Sequence, residues 1–158
     1  MKNLLIIIGL LLLLGVAFYF TQKTITGGSF NMFRLSKPAK AVIKKHTFSL
    51  LVAKTENEKE IGLSGKKSLP KDSGMVFPYD PKDTPTFWMK GMQFPIDIVF
   101  VSDGKIVTLF KNAQAPFVTN ENLQLYRPVQ PIDNVIEINA GLSDQYGFKE
   151  GDTASITL

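Results

Sequence analysis

The sequence has no cysteine and a single histidine, His46, among its 158 residues. The absence of Cys excludes disulfide bonds, thiolate metal ligands and cysteine nucleophiles. One imidazole does not make a zinc site, which usually takes several His or Cys ligands. The chain also lacks the G-x-S-x-G motif of serine hydrolases, a phosphate loop and a dinucleotide fingerprint. We therefore expect neither a bound metal nor a cofactor.

The chain also lacks a large excess of one charge, because 18 Lys and Arg against 14 Asp and Glu leave a net charge of only +4. The basic residues are scattered, with their main concentration between Lys37 and Lys45. Nucleic-acid-binding domains usually carry a pronounced basic stripe or a known binding motif, and the sequence has neither. We expect no nucleic-acid partner.

The N-terminus carries the longest apolar run of the chain, Leu4 to Phe20. A helix needs about 17 to 25 such residues to span a bilayer. A cleaved signal peptide is the alternative, since Gly15-Val16-Ala17 resembles a small-x-small cleavage site. The run continues through Phe18, Tyr19 and Phe20, and aromatic residues suit a membrane interface. These observations favour a retained anchor over residues 1–22, or an uncleaved signal.

The orientation of this segment is predicted from its flanks. Lys2 and the α-amino group give it a short basic start, which is typical of a segment that keeps its N-terminus inside and exports the rest of the chain. We therefore predict a single-pass membrane protein with its C-terminal domain outside the cytoplasm. Residues 23–41, rich in Gly, Ser, Thr, Asn, Lys and Pro, are predicted to be a linker.

Strand patterns dominate the remaining residues, 42–158. Ile96 to Val101 is rich in β-branched residues, and Asp103-Gly104 comes just after it as a strong hairpin signal. Further strands are predicted around His46–Ala53, Gly74–Phe77 and Val135–Ala140, and near the C-terminus. Pro78 to Pro85, which contains three Pro, is predicted to be a loop. Six to eight strands predict a mainly β domain, either a small β-sandwich or a partly open β-barrel.

One short helix is predicted between the strands at His46–Ala53 and Gly74–Phe77. Thr55 and Glu58 form a capping box, in which each side chain can accept from the other residue's amide. Three Glu residues crowd the first turn, where the helix dipole favours negative charge. Gly65 is the predicted end of the helix.

Asp97 is the anomaly of the central strand, because strand alternation places it on one face with Val99 and Val101. A buried carboxylate needs a partner. Lys90, just across the intervening turn, is the nearest cation in sequence, and Lys59 is the next choice. The pair would serve either as a ligand-binding or catalytic pair, or as a structural ion pair that stabilises the turn.

Two more residues are candidates for a site. Glu137, predicted to face Asp97 across the sheet, would act as a general acid or base, or would pair with Lys59 or Lys90. Trp88, the only Trp, would stack on a ligand or would be a core or rim aromatic. The ligand-binding candidates are thus Trp88, Lys90, Asp97, Glu137 and Lys59.

Several segments, taken in order, resemble the DUF192 family: GMVF at Gly74–Phe77, FWMKGMQFPIDIVFVSDGKIV at Phe87–Val107 and VIEINAG at Val135–Gly141. The segment Glu58–Leu63 is similar to the family's E-R-x-x-G-L-M, with Lys59 in place of Arg and Ser64 where Met is usual. The resemblance covers roughly residues 46–158. It implies a mainly β, sandwich-like domain, often behind a signal or anchor, and no known reaction.

Two classes of function stay open. The absence of a catalytic constellation, together with the anchor, favours a non-catalytic envelope module that binds a cell-envelope polymer, a small ligand or a protein partner. The alternative is an envelope hydrolase that uses Asp97, Glu137 and Lys90, since paired carboxylates suit glycoside hydrolysis. A cleft that holds these side chains together with Trp88 would indicate a site, whereas buried and paired carboxylates would indicate a scaffold.

Overall fold

Strands dominate the part of the chain that the computed structural model describes, residues 38–116 and 123–158. The strands are β1 (Ala39–Ile43), β2 (His46–Val52), β3 (Ser73–Asp83), β4 (Phe87–Trp88), β5 (Ile96–Ser102), β6 (Lys105–Ala113), β7 (Leu125–Tyr126), β8 (Ile132–Asn139) and β9 (Ala154–Thr157). Two short helices, α1 (Glu56–Ile61) and α2 (Leu142–Tyr146), complete the secondary structure of these ranges.

Seven strands form one sheet in the order β6-β5-β8-β3-β2-β1-β9, and β4 pairs with β7 in a separate ribbon. The β2–β3 pair is parallel, with α1 in its crossover, and the other pairs are antiparallel. The two edge strands, β6 and β9, approach each other at one end of the sheet. There Ile106 N donates to Asp152 O at 2.9 Å, and Lys105 and Thr153 form an isolated antiparallel β-bridge. The sheet therefore curls into a half-barrel, and the prediction of a mainly β fold is confirmed.

The concave face of the sheet holds the main core. Its apolar side chains come from most of the strands and from α2, and include Ala41, Phe48, Leu50, Val76, Val99, Ile136, Ile138 and Phe148. The other face of the central strands is also covered. Phe77 packs edge to face on Phe87 of β4, and Phe87 packs in the same way on Phe100 of β5. Burial on both faces explains why every residue of β5 is buried.

The hairpin between β5 and β6 is confirmed at the predicted residues. Asp103 and Gly104 have φ values of 50° and 71°, the left-handed conformation that a two-residue hairpin turn requires at both positions. The capping box is also confirmed: Glu58 N donates to Thr55 Oγ1 at 3.2 Å, and Thr55 N donates to Glu58 Oε2 at 2.9 Å. The backbone hydrogen bonds that the Glu58 carboxylate accepts from Thr55 N and Lys54 N lower the pKa of this carboxyl.

Several element bounds differ from the predictions. Helix α1 ends at Ile61 rather than near Gly65, because Gly62 takes a positive φ of 51° and stops the helix. Strand β3 runs on to Asp83 through a register shift, where the prolines favoured a loop. Helix α2 lies in a segment for which no helix was predicted. Strand β1 begins at Ala39, inside the range assigned to the linker, and pairs with both β2 and β9.

The predicted anchor, Leu4 to Phe20, and the linker up to residue 37 lie outside the described residues. In the ranges 38–116 and 123–158 no helix has the length and apolar character needed to cross a membrane.

Candidate functional site

Asp97 is completely buried on β5, and backbone amides surround its carboxylate. Oδ1 accepts from Asn112 N at 2.8 Å and from Gly141 N at 3.2 Å, and Oδ2 accepts from Ser143 N at 2.8 Å. Asn112 lies on β6, while Gly141 and Ser143 lie at the start of α2. One carboxylate therefore ties β5 to β6 and to α2, which is a structural role.

The prediction that Lys90 forms an ion pair with Asp97 is wrong. Lys90 is exposed, and no ion pair between described residues involves it. Its carbonyl oxygen accepts from Ser64 Oγ at 2.7 Å, which fixes the turn before β5 against the segment after α1. Lys59 does not reach Asp97 either, because its Nζ pairs with Glu56 Oε1 at 3.0 Å. Backbone amides, rather than the expected cation, stabilise the buried Asp97 carboxylate. Such amides cannot be recognised from the sequence, because nearly every residue has one.

Glu137 does not share a face with Asp97. In the antiparallel β5–β8 register, Asp97 lies opposite Ile138 and Glu137 lies opposite Ile98. Directly opposite residues point to the same face, and successive residues alternate. The two carboxylates therefore point to opposite faces of the sheet, and the prediction that Glu137 would join a network with Asp97 is wrong.

Glu137 lies between Met75 of β3 and Ile98 of β5, its neighbours across the sheet. It is only 5% exposed, and its Oε2 has no hydrogen-bond partner among the described residues. Neither Lys59 nor Lys90 forms an ion pair with it there, contrary to expectation. Burial without a compensating charge raises the pKa of the Glu137 carboxyl to about 8. At neutral pH the group is thus mainly the protonated acid.

Glu137 lines a cleft of about 370 Å³. The cleft is built from α1 and the residues after it, the distal half of β3 and the strand β4. Its lining residues are Glu56, Lys59, Glu60, Ile61, Gly62, Leu63, Ser64, Phe77, Tyr79, Asp83, Pro85, Thr86, Phe87, Trp88, Met92 and Glu137. Three of the five predicted site residues, Lys59, Trp88 and Glu137, therefore meet in one cleft.

Aromatic rings form much of the lining. Trp88 is 41% exposed, so it lies at the rim rather than in the core. Phe87 is held by its edge-to-face contact with Phe77, with ring centroids 5.0 Å apart. The Lys59 ammonium lies 4.1 Å from the centroid of the Tyr79 ring, within the range of a cation–π contact. Burial, together with nearby carboxylates, raises the pKa of the Tyr79 hydroxyl, which stays protonated at neutral pH.

Two predicted candidates lie outside this cleft. Asp97 points to the other face, and Lys90 lines a neighbouring hollow that shares Trp88, Glu60, Ile61 and Ser64 with the cleft. The sequence reasoning missed Tyr79, Asp83 and Phe87 as lining residues. Tyr79 and Asp83 fall in the Pro-containing segment assigned to a loop, and strand β3 extends far enough to carry them into the cleft.

The chemistry of the lining limits what the cleft can hold. Within residues 38–116 and 123–158, no group of three or more His, Asp or Glu side chains is placed to bind a metal ion. A protonated Glu137 can donate one hydrogen bond and can also accept hydrogen bonds, and Trp88 offers an apolar ring face. These groups suit recognition of a small molecule that carries both an apolar and a polar part.

Comparison with known proteins places the domain in a family. The model of the DUF192 family, described as an uncharacterized ACR, matches residues 39–156, and the chain therefore belongs to that family. A protein of unknown function from Novosphingobium aromaticivorans has a similar crystal structure, with 30% identity and a TM-score of 0.65, over 75% of this chain and 83% of that one. A search of curated proteins found no match.

A second solved structure, a putative transcription regulator from Sinorhizobium meliloti, shares the fold. It has 24% identity and a TM-score of 0.65, over 74% of this chain and 90% of that one. At this identity the likeness concerns the fold alone.

Proposed function

We propose that this DUF192 domain is a ligand-binding module of the cell envelope, tethered to the membrane by Leu4–Phe20 with the domain outside the cytoplasm. The observation that carries the binding role is Glu137, a buried carboxyl group with an unpartnered Oε2 that lines a cleft. Leaving a buried polar atom without a hydrogen bond costs about 1–3 kcal/mol. A ligand that supplied the missing partner would recover part of that cost.

The size and the lining of the cleft support a small ligand. A volume of about 370 Å³ lies near the lower end of the range of small-molecule sites, roughly 300–1,000 Å³. Exposed Trp88 at the rim and Phe87 beside it supply an apolar surface, and Glu137 supplies a polar contact. In small-molecule sites, a small number of placed polar groups fixes the orientation of the ligand.

The hydrolase alternative lacks the arrangement of catalytic residues that it requires. Paired catalytic carboxylates act on one bond from about 5 to 10 Å apart and must share a cleft with the substrate. Asp97 and Glu137 point to opposite faces of the sheet, and backbone amides occupy both oxygens of Asp97. Lys90 is exposed outside the cleft. These positions favour binding over the three-residue catalytic arrangement.

A screen of small molecules with the purified full-length chain tests the binding role. Trp88 is the only Trp, so intrinsic fluorescence reports on the cleft without a label. We expect hits that both change this fluorescence and raise the melting temperature, because a ligand of the folded state stabilises it. Trp88→Ala should abolish the thermal shift, whereas Val129→Ala, at a residue that is 78% exposed and does not line the cleft, should preserve it.

The binding proposal would be contradicted if amines, sugars, acids and peptides all failed to produce either response. It would also be contradicted if hits survived Trp88→Ala and Glu137→Gln unchanged, since they would then bind elsewhere.

The membrane tether needs a separate test. The full-length protein is expected to stay with membranes after a high-salt wash, since an apolar span is held by the hydrocarbon and not by charge. A soluble mature chain that begins near Phe18, read by N-terminal sequencing, would show that the segment is a cleaved signal instead.

A further inference from the structure

The cleft carries the opposite charge to the chain as a whole. The chain has a net charge of +4, yet among the described residues three exposed carboxylates, Glu56, Glu60 and Asp83, form the mouth of the cleft against the single lining cation Lys59. Of the three carboxylates, only Glu56 forms an ion pair within the described ranges, with Lys59. Clefts lined by one sign of charge concentrate ligands of the opposite sign.

The cleft already holds one cation. The Lys59 ammonium lies over the Tyr79 ring at 4.1 Å and contacts Glu56 at 3.0 Å, and the Lys59 side chain is only 15% exposed. Aromatic faces attract ammonium groups, and a nearby carboxylate adds charge attraction. The chain's own lysine thus shows that this wall accommodates a positively charged nitrogen.

Glu137 provides the second and independent observation. Its carboxyl is nine-tenths or more buried, lines the same cleft, and has one oxygen without a partner among the described residues. The groups that line the cleft with it are Tyr79 and Asp83 of β3, Lys59, Glu56 and Glu60 of α1, and the rings of Phe77, Phe87 and Trp88. A cationic group that entered the cleft would stabilise the carboxylate form of Glu137, whereas an uncharged group would not.

We propose that the cleft binds an organic cation, an amine or ammonium group carried on a small apolar body, between the aromatic rings of Tyr79, Phe87 and Trp88 and the carboxyl of Glu137. This identification of the ligand class rests on the proposed binding function. Positive charge is selected by Glu137 and the acidic mouth, and the apolar body is selected by the rings.

Choline and 3,3-dimethylbutan-1-ol form a matched pair for the test, because they share shape and differ in the positive charge. A second pair is n-butylammonium and n-butanol. Each is titrated into the full-length chain while Trp88 fluorescence is followed. We expect each cation to bind at least about tenfold more tightly than its neutral partner. One or two cation–π or charge contacts supply a difference in affinity of that size.

Three variants separate a cation site from a general apolar cleft. Glu137→Gln should weaken choline binding roughly tenfold and leave the neutral alcohol unaffected. Glu150→Gln, an exposed site away from the cleft, is the matched control and should change neither. Lys59→Gln should tighten choline binding several-fold, because it removes the competing ammonium from the Tyr79 ring.

Each negative outcome is informative. Equal binding of choline and its neutral isostere, or no binding of either cation up to tens of millimolar, would overturn the cation proposal. A sugar that bound in a Trp88-dependent manner would overturn it as well while leaving the binding function intact. A complete lack of Trp88-dependent binding in the wider screen would contradict the binding function itself.

Discussion

Two buried carboxylates on neighbouring strands of one sheet have opposite surroundings. Asp97 is fully buried and accepts three backbone N–H groups, whereas Glu137 is buried against Met75 and Ile98 with an oxygen that no described group contacts through a hydrogen bond. Asp97 faces the side of the sheet on which Ile138 lies, and Glu137 faces the side that forms the cleft.

The difference shows that burial of a charged residue does not by itself indicate its role. The partners decide: a carboxylate with its hydrogen bonds complete is part of the scaffold, and one left incomplete beside a cleft is a candidate for ligand contact. Since the two residues occupy adjacent strands, they also provide matched experiments within one protein.

The largest expected effect is the loss of Asp97. Asp97→Ala would leave the amides of Asn112, Gly141 and Ser143 buried without an acceptor. A buried donor left without an acceptor costs about 1–3 kcal/mol, so three of them together cost several kcal/mol. We expect a decrease of that order in the free energy of unfolding, measured by urea denaturation followed with Trp88 fluorescence.

Two companion variants sharpen this prediction. Asp97→Asn keeps the shape but turns one acceptor oxygen into a donor that faces an N–H, so it should lose at least about 2 kcal/mol. Lys90→Ala should change stability by no more than about 0.5 kcal/mol, as surface substitutions usually do. A large loss for Lys90→Ala, or coupling between the two sites in the double mutant, would restore the ion pair that the structure rejects.

A second prediction concerns the pH dependence that Glu137 imparts. Its pKa is about 8 in the folded protein, against an ordinary value of 4.5. Between these values the folded state retains a proton that the unfolded state has lost, so stability falls as pH rises, by about 1.4 kcal/mol per pH unit. Glu137→Gln removes this contribution, and from pH 5.5 to 7.5 the wild type should lose about 3 kcal/mol relative to the variant.

The matched control for this experiment is Glu150→Gln, at an exposed position, which should reproduce the pH profile of the wild type. Parallel profiles for the wild type and Glu137→Gln would mean that the carboxyl has a partner or solvent access, and the contrast with Asp97 would disappear.

The smallest of these effects concerns the helix that forms one wall of the cleft. Thr55→Ala removes the acceptor for the Glu58 amide and breaks the capping box of α1. Losing such a cap costs about 1 kcal/mol. If α1 shapes the site, ligand binding should weaken together with stability, whereas Thr47→Ala, an exposed residue of β2 outside the capping box, should affect neither.

Local features of the fold could be predicted from the sequence. The Asp103-Gly104 hairpin and the Thr55–Glu58 capping box depend on residues within a few positions of each other, and both formed as expected. Alternation also placed Asp97 in the interior correctly. Its partners could not be predicted, because nearly every residue type carries a backbone amide and only the register of β6 and α2 brings these three close.

The cleft was harder to predict for a related reason. Trp88, Glu137 and Lys59 were candidates because of their residue types, but they lie far apart in sequence and meet only after β3 and β8 pair. Tyr79 and Asp83 were hidden by prolines that ordinarily end a strand, and the register shift in β3 overrides that rule. Strand alternation alone did not reveal that Asp97 and Glu137 are on opposite faces, because the relative register of two strands is a tertiary property.

The most direct test of the contrast is a titration of the Glu137 carboxyl itself. Side-chain ¹³C NMR of the ligand-free full-length chain, with the resonance assigned by its absence in Glu137→Gln, gives the midpoint for this one residue. An unpaired and desolvated carboxyl should titrate with a midpoint of about 8. A midpoint near the ordinary 4.5 would show that the group is solvated or already paired, and would contradict its assignment as the open contact of the cleft.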